Sequence, residues 1–446
     1  MSDRPDSTQQ PSLWRHGAFM KLWVGQSISQ LGSQVTILAL PLTAILLFRA
    51  TPFQVGLLGT FEFLPFVLLG LPVGVWVDRV RRKPLLVAAD LGRFLVLGSV
   101  PLAYGLDELH IGHLYAAAFL SGVFTVFFDV AYGSYLPSLI DRGRLVDGNS
   151  KLEISRSGAQ LLGPGLAGIL VQAFTAPVAI LADAGSYLGS VLFLFMIRRK
   201  EPPVEGPAEG SARMAGQIRE GLRYVLRHRL LRPLLACTAT LNFTGGITLA
   251  VLLLFAVRSL DMSPGVIGIV LALGNVGLLG GAFVAGRISR RLGVGPTLIG
   301  AGALIGFAWA LLPLASPSTA VPLLIVYGVL WSFGAVIYNV NGRSLVQSIT
   351  PDRLLGRTVA TNRFVVWGTI PLGTFLGGIL GSRIGLRPTL WISAAGGLVA
   401  FLPPLLSEVR RLTDMPTLGD VETSPPLSIA PAGAPGDPVH PPGPTG

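Results

Sequence analysis

Long apolar stretches alternate with short polar ones along almost the whole chain. A helix that crosses a bilayer needs about 20 apolar residues. Runs of about this length or longer recur twelve times, so we predict twelve transmembrane helices. They are residues 18–48, 54–77, 85–104, 113–139, 152–173, 177–197, 232–257, 263–286, 294–314, 321–348, 358–381 and 388–406.

A polar linker divides these runs into two sets of six. We predict an N-terminal arm (1–17), a first six-helix bundle (18–197), a linker (198–231), a second six-helix bundle (232–406) and a disordered Pro-rich tail (407–446). Within the linker, an apolar stripe at i, i+4 spacing runs beside an arginine stripe, which predicts an amphipathic helix at the membrane surface. The stripes are Met214, Ile218, Leu222 and Leu226, and Arg219, Arg223 and Arg227.

Composition agrees with a membrane protein. Hydrophobic residues make up 51% of the chain and charged residues 13%, with a mean hydropathy of +0.63. Soluble domains carry roughly 25% charged residues, so this chain has too little charge to cover a water-exposed globule of its size.

The net charge of +11 raises the question of a nucleic-acid partner. The basic residues lie mostly in the loops that share a side with the termini. Cytoplasmic loops are enriched in Lys and Arg. We therefore expect a multi-pass membrane protein with both termini in the cytoplasm, and no nucleic-acid partner.

The two halves resemble each other in sequence. Three pairs of matching positions lie 207 to 209 residues apart: Asp78 and Gly286, Gly133 and Gly342, and Arg156 and Arg363. A duplicated six-helix unit is typical of two-bundle transporters.

The loop after the second span resembles the loop signature of the major facilitator superfamily, in which two glycines, an Asp-Arg pair and further basic residues follow one another. The matching positions are Gly74, Asp78, Arg79, Arg82 and Lys83, with Arg81 in place of the second glycine. The resemblance implies an all-α membrane fold of twelve helices in two pseudo-symmetric bundles. It also implies that this loop forms a gate between the bundles at the cytoplasmic side.

The fifth span contains a Gly-rich stretch around a Gly-Pro pair, which resembles the antiporter signature of the same superfamily. Its positions are Gly158, Gly163, Pro164 and Gly168. Further stretches, at 22–32, 89–93, 149–152, 181–187 and 219–228, are similar to the bacterial branch with the enterobactin exporter and macrolide and multidrug efflux proteins. Members of that branch often have Asp where Ser33 stands here. The resemblance implies export in exchange for protons across a bacterial inner membrane.

Two acids lie inside predicted spans, where a charge costs roughly 2.5–3.5 kcal/mol on insertion scales. They are Glu62 in the second span and Asp129 in the fourth. Because burial disfavours the charged form of a carboxyl group, we predict that both couple transport to protons. The alternative for both is a structural role, as an ion pair or a hydrogen bond to a neighbouring helix, with Arg156 as the obvious partner of Asp129. Asp90 and Arg93 are one turn apart and are interpreted as a structural pair within one helix. Asp183 is also interpreted as structural.

Further polar residues in the spans predict the lining of a cavity: Gln30, Gln34, Arg156, Asn242, Asn275, Tyr338, Asn339 and Arg363. Few fixed charges beside many aromatic residues favour a hydrophobic or amphipathic cargo.

The sequence thus predicts a secondary active transporter, specifically a proton-coupled antiporter that exports a small molecule by alternating access. An uptake symporter or facilitator on the same fold, and a membrane receptor that transports nothing, remain alternatives. The sequence shows no metal cluster, nucleophile–base pair or nucleotide-binding loop. We therefore expect no enzymatic activity and no cofactor, with a proton gradient as the energy source. Expected partners are a small-molecule substrate and membrane lipids, and the expected state is a monomer.

Overall fold

A computed structural model describes residues 13–77, 79–198 and 214–416. Of the predicted arm (1–17) and disordered tail (407–446), residues 1–12 and 417–446 lie outside the described residues. The predicted disorder is wrong for the first residues of the tail, because Glu408–Arg411 form a 3-10 helix with Val409 buried and the carbonyl oxygen of Leu412 accepts from the backbone N–H of Gly295. The α-helices, in chain order, are α1 (Gly17–Leu46), α2 (Pro52–Val77), α3 (Arg82–Gly105), α4 (Ile111–Leu139), α5 (Leu145–Ala173), α6 (Ala176–Phe195), α7 (Met214–Arg227), α8 (Leu231–Arg258), α9 (Pro264–Gly274), α10 (Val276–Leu292), α11 (Val294–Leu311), α12 (Ala320–Ile349), α13 (Asp352–Ile384), α14 (Leu386–Ala400) and α15 (Leu402–Leu405).

Each predicted span corresponds to one helix, with two exceptions: α9 and α10 together form the eighth span, and α14 and α15 together form the twelfth. Within the described residues, eleven helices are long and apolar enough to cross a membrane, with α9 and α10 counted together. The remaining span is α5, which is 29 residues long. It is less apolar because its first half carries Asp147, Lys151, Glu153 and Arg156, and its second half holds Gln160 and Gln172.

The helices pack into two bundles in the predicted order. In the N-terminal bundle, α1 packs on α5 and α6, α3 packs on α4 and α6, and α2 packs on α4. The C-terminal bundle repeats this arrangement, with α8 on α13 and α14, α11 on α12 and α14, and α10 on α12. Because each bundle has an even number of spans, the described ends of the chain lie on one side, here called the termini side. The opposite side, with loops 47–51, 106–110 and 259–263, is the far side.

Two single-glycine joints connect neighbouring helices of the C-terminal bundle. Gly293 joins α10 to α11, and Gly385 joins α13 to α14, each with a φ of 91°. Residues with a Cβ rarely adopt this backbone conformation. The chain can therefore reverse direction in one residue only because glycine stands at both joints.

The linker contains a helix, α7, which packs against the first turns of α13. The Tyr224 hydroxyl donates to the carbonyl oxygen of Ile349 at 3.2 Å, and Glu220 forms an ion pair with Arg357. Leu222 and Leu226 are exposed. The side chains of Met214 and Ile218, the other members of the predicted apolar stripe, lie outside the described residues.

Candidate functional site: the cleft between the two bundles

The first contact between the bundles joins α2 to α13 near the far side. The backbones come very close there, because a Cβ on Gly56 would lie 2.6 Å from the Cα of Gly378. The Thr60 and Thr374 hydroxyls are 3.0 Å apart, and the backbone N–H of Phe53 donates to the Ser382 hydroxyl at 2.9 Å. Small residues and hydroxyl hydrogen bonds of this kind hold helices together in a bilayer.

The second contact, between α5 and α9, holds part of the antiporter-like stretch. A Cβ on Gly168 would lie 2.5 Å from the carbonyl oxygen of Pro264 and 2.8 Å from the Cα of Gly268. The Gln172 side-chain oxygen extends this seam by accepting from the backbone N–H of Gly265 at 2.9 Å. The α5–α9 seam therefore depends on glycine in both helices.

The other residues of the antiporter-like stretch have different surroundings. Gly163 packs on the Gln34 side chain of α1, inside the N-terminal bundle. The Pro164 carbonyl faces Gly268 across the seam. Gly158 faces open space, with no atom within 4 Å of where a Cβ would stand. The stretch therefore runs from the α5–α9 seam into a cleft.

Toward the termini side, the two bundles separate. The Asn275 side chain donates to the carbonyl oxygen of Gln160 at 2.6 Å, and this bond marks the inner limit of the α5–α9 contact. Beyond it opens a cleft of about 570 Å³ between α5 and α10, lined by Ser150, Glu153, Ile154, Ser157, Gly158, Leu161 and Leu279. The described conformation is thus closed at the far side and open at the termini side.

The loop signature, which was predicted to form a gate, lies at the open end of the cleft. Asp78 lies outside the described residues. Gly74 has no atom within 4 Å of its Cβ position. Arg79 is exposed and Arg82 is half-buried. Lys83 donates to the carbonyl oxygen of Ile197 at 2.6 Å, in its own bundle.

Asp129 lies on α4 and is exposed, although it is near the middle of a transmembrane helix. Arg93 of α3, Arg363 of α13 and Arg156 of α5 all act on it electrostatically. None of them approaches within the 4.0 Å of an ion pair. The alternative that Asp129 forms a contact ion pair with Arg156 is therefore wrong. The carboxylate instead faces a diffuse positive field that comes from both bundles.

Glu62 is half-buried on α2, where its backbone carbonyl lies against Gly122 of α4. Its side chain has no hydrogen-bond or ion-pair partner among the described residues. Aromatic rings surround this level of α2. Phe61 lies next to Tyr115, with ring centroids 5.5 Å apart, and Phe63 lies 6.1 Å from Trp367 of the other bundle.

Aromatic side chains line the middle of the interface. The Phe66 ring stacks on Trp367 across the two bundles, with centroids 4.4 Å apart and planes 13° apart. Closer to the termini side, Trp76 meets Phe127 edge to face at 5.4 Å and is half exposed. The region that a cargo would reach from the termini side is therefore largely aromatic.

The polar residues predicted to line the cavity do not all face it. Gln30 and Gln34 are half-buried on α1, and Arg156, Arg363 and Asn339 are exposed. Asn242 donates to the carbonyl of Thr238 in its own helix. Tyr338 is buried, and its hydroxyl contacts Thr238 at 2.9 Å, so its assignment to the cavity lining is wrong. Asn275 belongs to the α5–α9 seam described above.

The sequence analysis did not predict that Arg93 acts electrostatically on Asp129. Its spacing from Asp90 suggested a pair within one helix, and that pair exists. The position of Arg93 at mid-span was the available signal, because charges at this depth are costly and face the bundle interior.

Two six-helix bundles, sealed at one side and enclosing a cleft at the other, define the architecture of a secondary transporter. Comparison with known proteins agrees. The chain matches the Major Facilitator Superfamily over residues 22–364 and again over 234–430. It belongs to this superfamily of membrane transporters. The predicted fold class and the prediction that the chain is not an enzyme are thereby confirmed.

Relatives of similar length include proteins described as efflux pumps. The chain is 27% identical to the uncharacterized MFS-type transporter YfiS of Bacillus subtilis (strain 168), over 90% of this chain and 97% of that protein. It is 26% identical to the multidrug efflux pump Tap of Mycolicibacterium fortuitum, over 84% and 93%. Identity to macrolide efflux protein A of Streptococcus pyogenes is 23%, over 88% and 97%. The predicted resemblance to the efflux branch is confirmed.

Solved structures support the fold. A bacterial homologue of the iron transporter ferroportin in an inward-facing state aligns with a TM-score of 0.71 at 17% identity, over 89% of this chain and 99% of that one. A bacterial homologue of the lysosomal transporter Spinster, also inward-facing and unoccupied, aligns with a TM-score of 0.67 at 15% identity, over 90% and 98%.

Proposed function

We propose that this chain is a proton-coupled antiporter of a bacterial inner membrane that exports a hydrophobic or amphipathic small molecule by alternating access. The observations that carry the proposal are the separation of the bundles at the termini side, the aromatic rings at the bundle interface and the exposed carboxylate of Asp129. The basic loops on the termini side support a cytoplasmic location for that side, because cytoplasmic loops are enriched in Lys and Arg. A cleft open there collects cargo from the cytoplasm, as an exporter requires.

The lining supports an amphipathic aromatic cargo. Phe66, Trp367, Trp76 and Phe127 offer ring faces and edges, and aromatic pairs contribute about 0.5–1.5 kcal/mol beyond the area that they bury. Fixed charges in the cleft are few. The multidrug and macrolide efflux relatives support the same class of cargo.

Asp129 and Glu62 are the proposed coupling residues. A carboxyl group couples a proton to transport when the cleft's exposure to each side of the membrane changes its protonation. Asp129 is exposed and forms no contact ion pair among the described residues, so it can exchange a proton in this conformation. Glu62 lies on the helix that forms the α2–α13 contact, so its surroundings change when that contact opens.

The direction of transport separates export from uptake. In everted membrane vesicles the cytoplasmic face points outward, so an exporter accumulates cargo inside the vesicle when the lumen is acidic. We expect ethidium or radiolabelled erythromycin to accumulate under an imposed pH gradient, inside acidic, and to leave when the gradient collapses. Accumulation only under the opposite gradient would contradict export.

The coupling residues are tested by Asp129→Asn and Glu62→Gln. Each variant should insert normally and lose gradient-driven accumulation. Asp147→Asn is the matched control, because Asp147 is an exposed acid on α5 that pairs only with Lys151 one turn away. If both test variants transport at the normal rate with normal pH dependence, the assignment is wrong.

We further propose that the protein works in the lipid bilayer as a monomer and without a cofactor. Purified protein should transport in liposomes made from lipid alone, with a proton gradient and no nucleotide. Light scattering of the detergent complex should give the mass of one 47.0 kDa chain. A requirement for ATP or a stable dimer would contradict this part.

A further inference from the structure

A second group of ionisable residues is buried inside the N-terminal bundle, behind Asp129. Asp90 and Arg93 of α3 and Asp183 of α6 are between 0% and 4% exposed. Asp90 and Arg93 form a direct ion pair. Arg93 also lies flat between two rings, with its guanidinium carbon 4.3 Å from the Phe128 centroid and 4.2 Å from that of Tyr187.

The charges in this group do not balance. One guanidinium neutralises one carboxylate, and Asp90 already holds Arg93 at contact distance. Asp183 is then an excess carboxyl group in a site without water access. A buried ionised carboxylate without a partner is so costly that such groups take up a proton instead.

The hydrogen bonds around Asp183 agree with a neutral carboxyl group. One oxygen, Oδ1, accepts from the Ser186 hydroxyl at 3.1 Å. The other, Oδ2, meets no donor at full hydrogen-bond geometry, and neither does Oδ2 of Asp90. The further donors beside these two carboxyl groups, the Thr36 hydroxyl for Asp183 and the Ser190 hydroxyl for Asp90, carry no charge. An ionised Asp183 would leave a full negative charge on a buried oxygen that meets no donor at full hydrogen-bond geometry, whereas a protonated one leaves a hydroxyl.

The groups that face Asp183 come from three other helices and its own. Arg93 and Asp90 act on it from α3, and Tyr187 lies one turn away on α6. Asp129 of α4 affects Asp183 only indirectly, because both acids act electrostatically on Arg93. Helix α1 brings the uncharged Thr36, together with Ser33, whose hydroxyl lies 2.8 Å from that of Tyr187.

We propose that Asp183 is a second proton-binding site, which is protonated while the cleft is open at the termini side and is linked to the cleft through Arg93 and Asp129. Arg93 is the only described cation that acts on all three acids. A proton gained or lost by Asp129 in the cleft changes the field at Arg93, and thereby the cost of ionising Asp183. The proton-binding site stands without the proposed antiport, but its role in coupling rests on that proposal.

The packing around Asp183 shows how its proton affects the conformation. Gly32 of α1 lies against the carboxyl group, and a Cβ there would be 2.8 Å from Oδ1 of Asp183 and would meet the Ser186 hydroxyl. No room exists to hydrate an ionised carboxylate while α1 keeps this position. Loss of the proton therefore favours separation of α1 from α6.

Infrared spectroscopy tests the site without any transport assay. In the purified protein in lipid nanodiscs at pH 7, a protonated carboxyl group gives a C=O stretching band that shifts in D₂O. We expect Asp183→Asn to remove one such band and Asp90→Asn to leave it in place. An unchanged spectrum of a folded Asp183→Asn protein would overturn the proposal, even if transport is proton-coupled.

A charge-balance experiment covers the case in which single variants do not fold. Arg93→Gln leaves Asp90 without a counter-ion and should abolish or strongly reduce the yield of folded protein. The double variant Arg93→Gln with Asp90→Asn should restore it, because the remaining Asp183 is neutral. If recovery requires Asp183→Asn instead, Asp183 is the ionised partner and the proposal is wrong.

The coupling role has its own readout. Asp183→Asn should keep ethidium binding and exchange but lose the dependence of uptake on the pH gradient in everted vesicles. If Asp183→Asn loses its infrared band and keeps normal gradient-driven transport, the site binds a proton but does not couple it. If the wild-type protein shows no gradient-driven transport, the proposed antiport fails and the spectroscopic result still stands.

Discussion

Replacing Gly168 by alanine should shift the protein away from the conformation described here. Gly168 lies in the α5–α9 seam, which closes the far side. Its added methyl group would meet the Pro264 carbonyl at 2.5 Å and the Cα of Gly268 at 2.8 Å. Both are backbone atoms, so no side-chain rotation relieves the overlap. The seam must widen, and only conformations with the far side closed carry this cost.

The size of the effect follows from the overlap. Overpacking by one or more methylene groups costs typically about 1–3 kcal/mol. Applied to one of two conformations, that cost changes their equilibrium constant roughly 5- to 150-fold. The general stabilising effect of Gly→Ala in a helix, about 1 kcal/mol, applies to both conformations and does not alter the ratio.

The assay is a distance measurement between spin labels across the open cleft. Cysteines replace Asn149 on α5 and Arg291 at the end of α10, both exposed, in a Cys237→Ser background. In Gly168→Ala, the population with a short distance across the termini side should grow. Gly56→Ala, in the α2–α13 seam, should act in the same direction, because its methyl group would lie 2.6 Å from the Cα of Gly378.

Gly158→Ala is the matched control. It lies on the same helix as Gly168 but faces open space, so its distance distribution should equal that of the parent. If Gly168→Ala gives the same distribution as Gly158→Ala, the α5–α9 seam does not set the conformational equilibrium. The reasoning from close backbone contact would then be refuted.

Three further predictions concern the linker and the cleft. Gly221→Ala should undock α7 and speed proteolysis of the linker, because a Cβ there would lie 2.8 Å from the Arg357 carbonyl oxygen. Glu220→Gln should have only a small effect on proteolysis, because exposed ion pairs contribute at most about 1 kcal/mol. Burial lowers the pKa of His228, so on acidification the unfolded chain binds more protons at this residue than the folded one. The stability that is present above about pH 6.5 should therefore fall as the pH is lowered. Thermal unfolding should show this loss in the parent and not in His228→Asn. Trp367→Leu should weaken ethidium binding about 2- to 12-fold, as measured by fluorescence titration, because it removes an aromatic contact of about 0.5–1.5 kcal/mol.

The sequence predicted the helices well because a bilayer demands long apolar runs. Each predicted span corresponds to helical structure in the protein, but hydropathy did not indicate the breaks at Asn275 within the eighth span and at Phe401 within the twelfth. Asn275 interrupts the helix so that its side chain can reach α5, and a contact with a distant helix leaves no local signal in the sequence.

Side-chain orientation was the harder part. Tyr338 was placed in the cavity because it is a polar residue within a span, but it is buried and its hydroxyl contacts Thr238 of α8. Asp183 lies 90 residues from Arg93, and only the packing of α3 on α6 brings the two together. Sequence spacing shows which residues share a helix face, whereas the rotation of each helix against its neighbours decides which charges meet.

The most direct test of proton-coupled export is a simultaneous record of protons and cargo. Purified protein is reconstituted in liposomes that contain a pH-sensitive dye, and ethidium is added outside without an imposed pH gradient. Uptake of ethidium should drive protons out of the lumen, so the dye should report alkalinisation that Asp129→Asn abolishes. Ethidium uptake by the parent protein with no change in lumenal pH, or with acidification, would contradict the account.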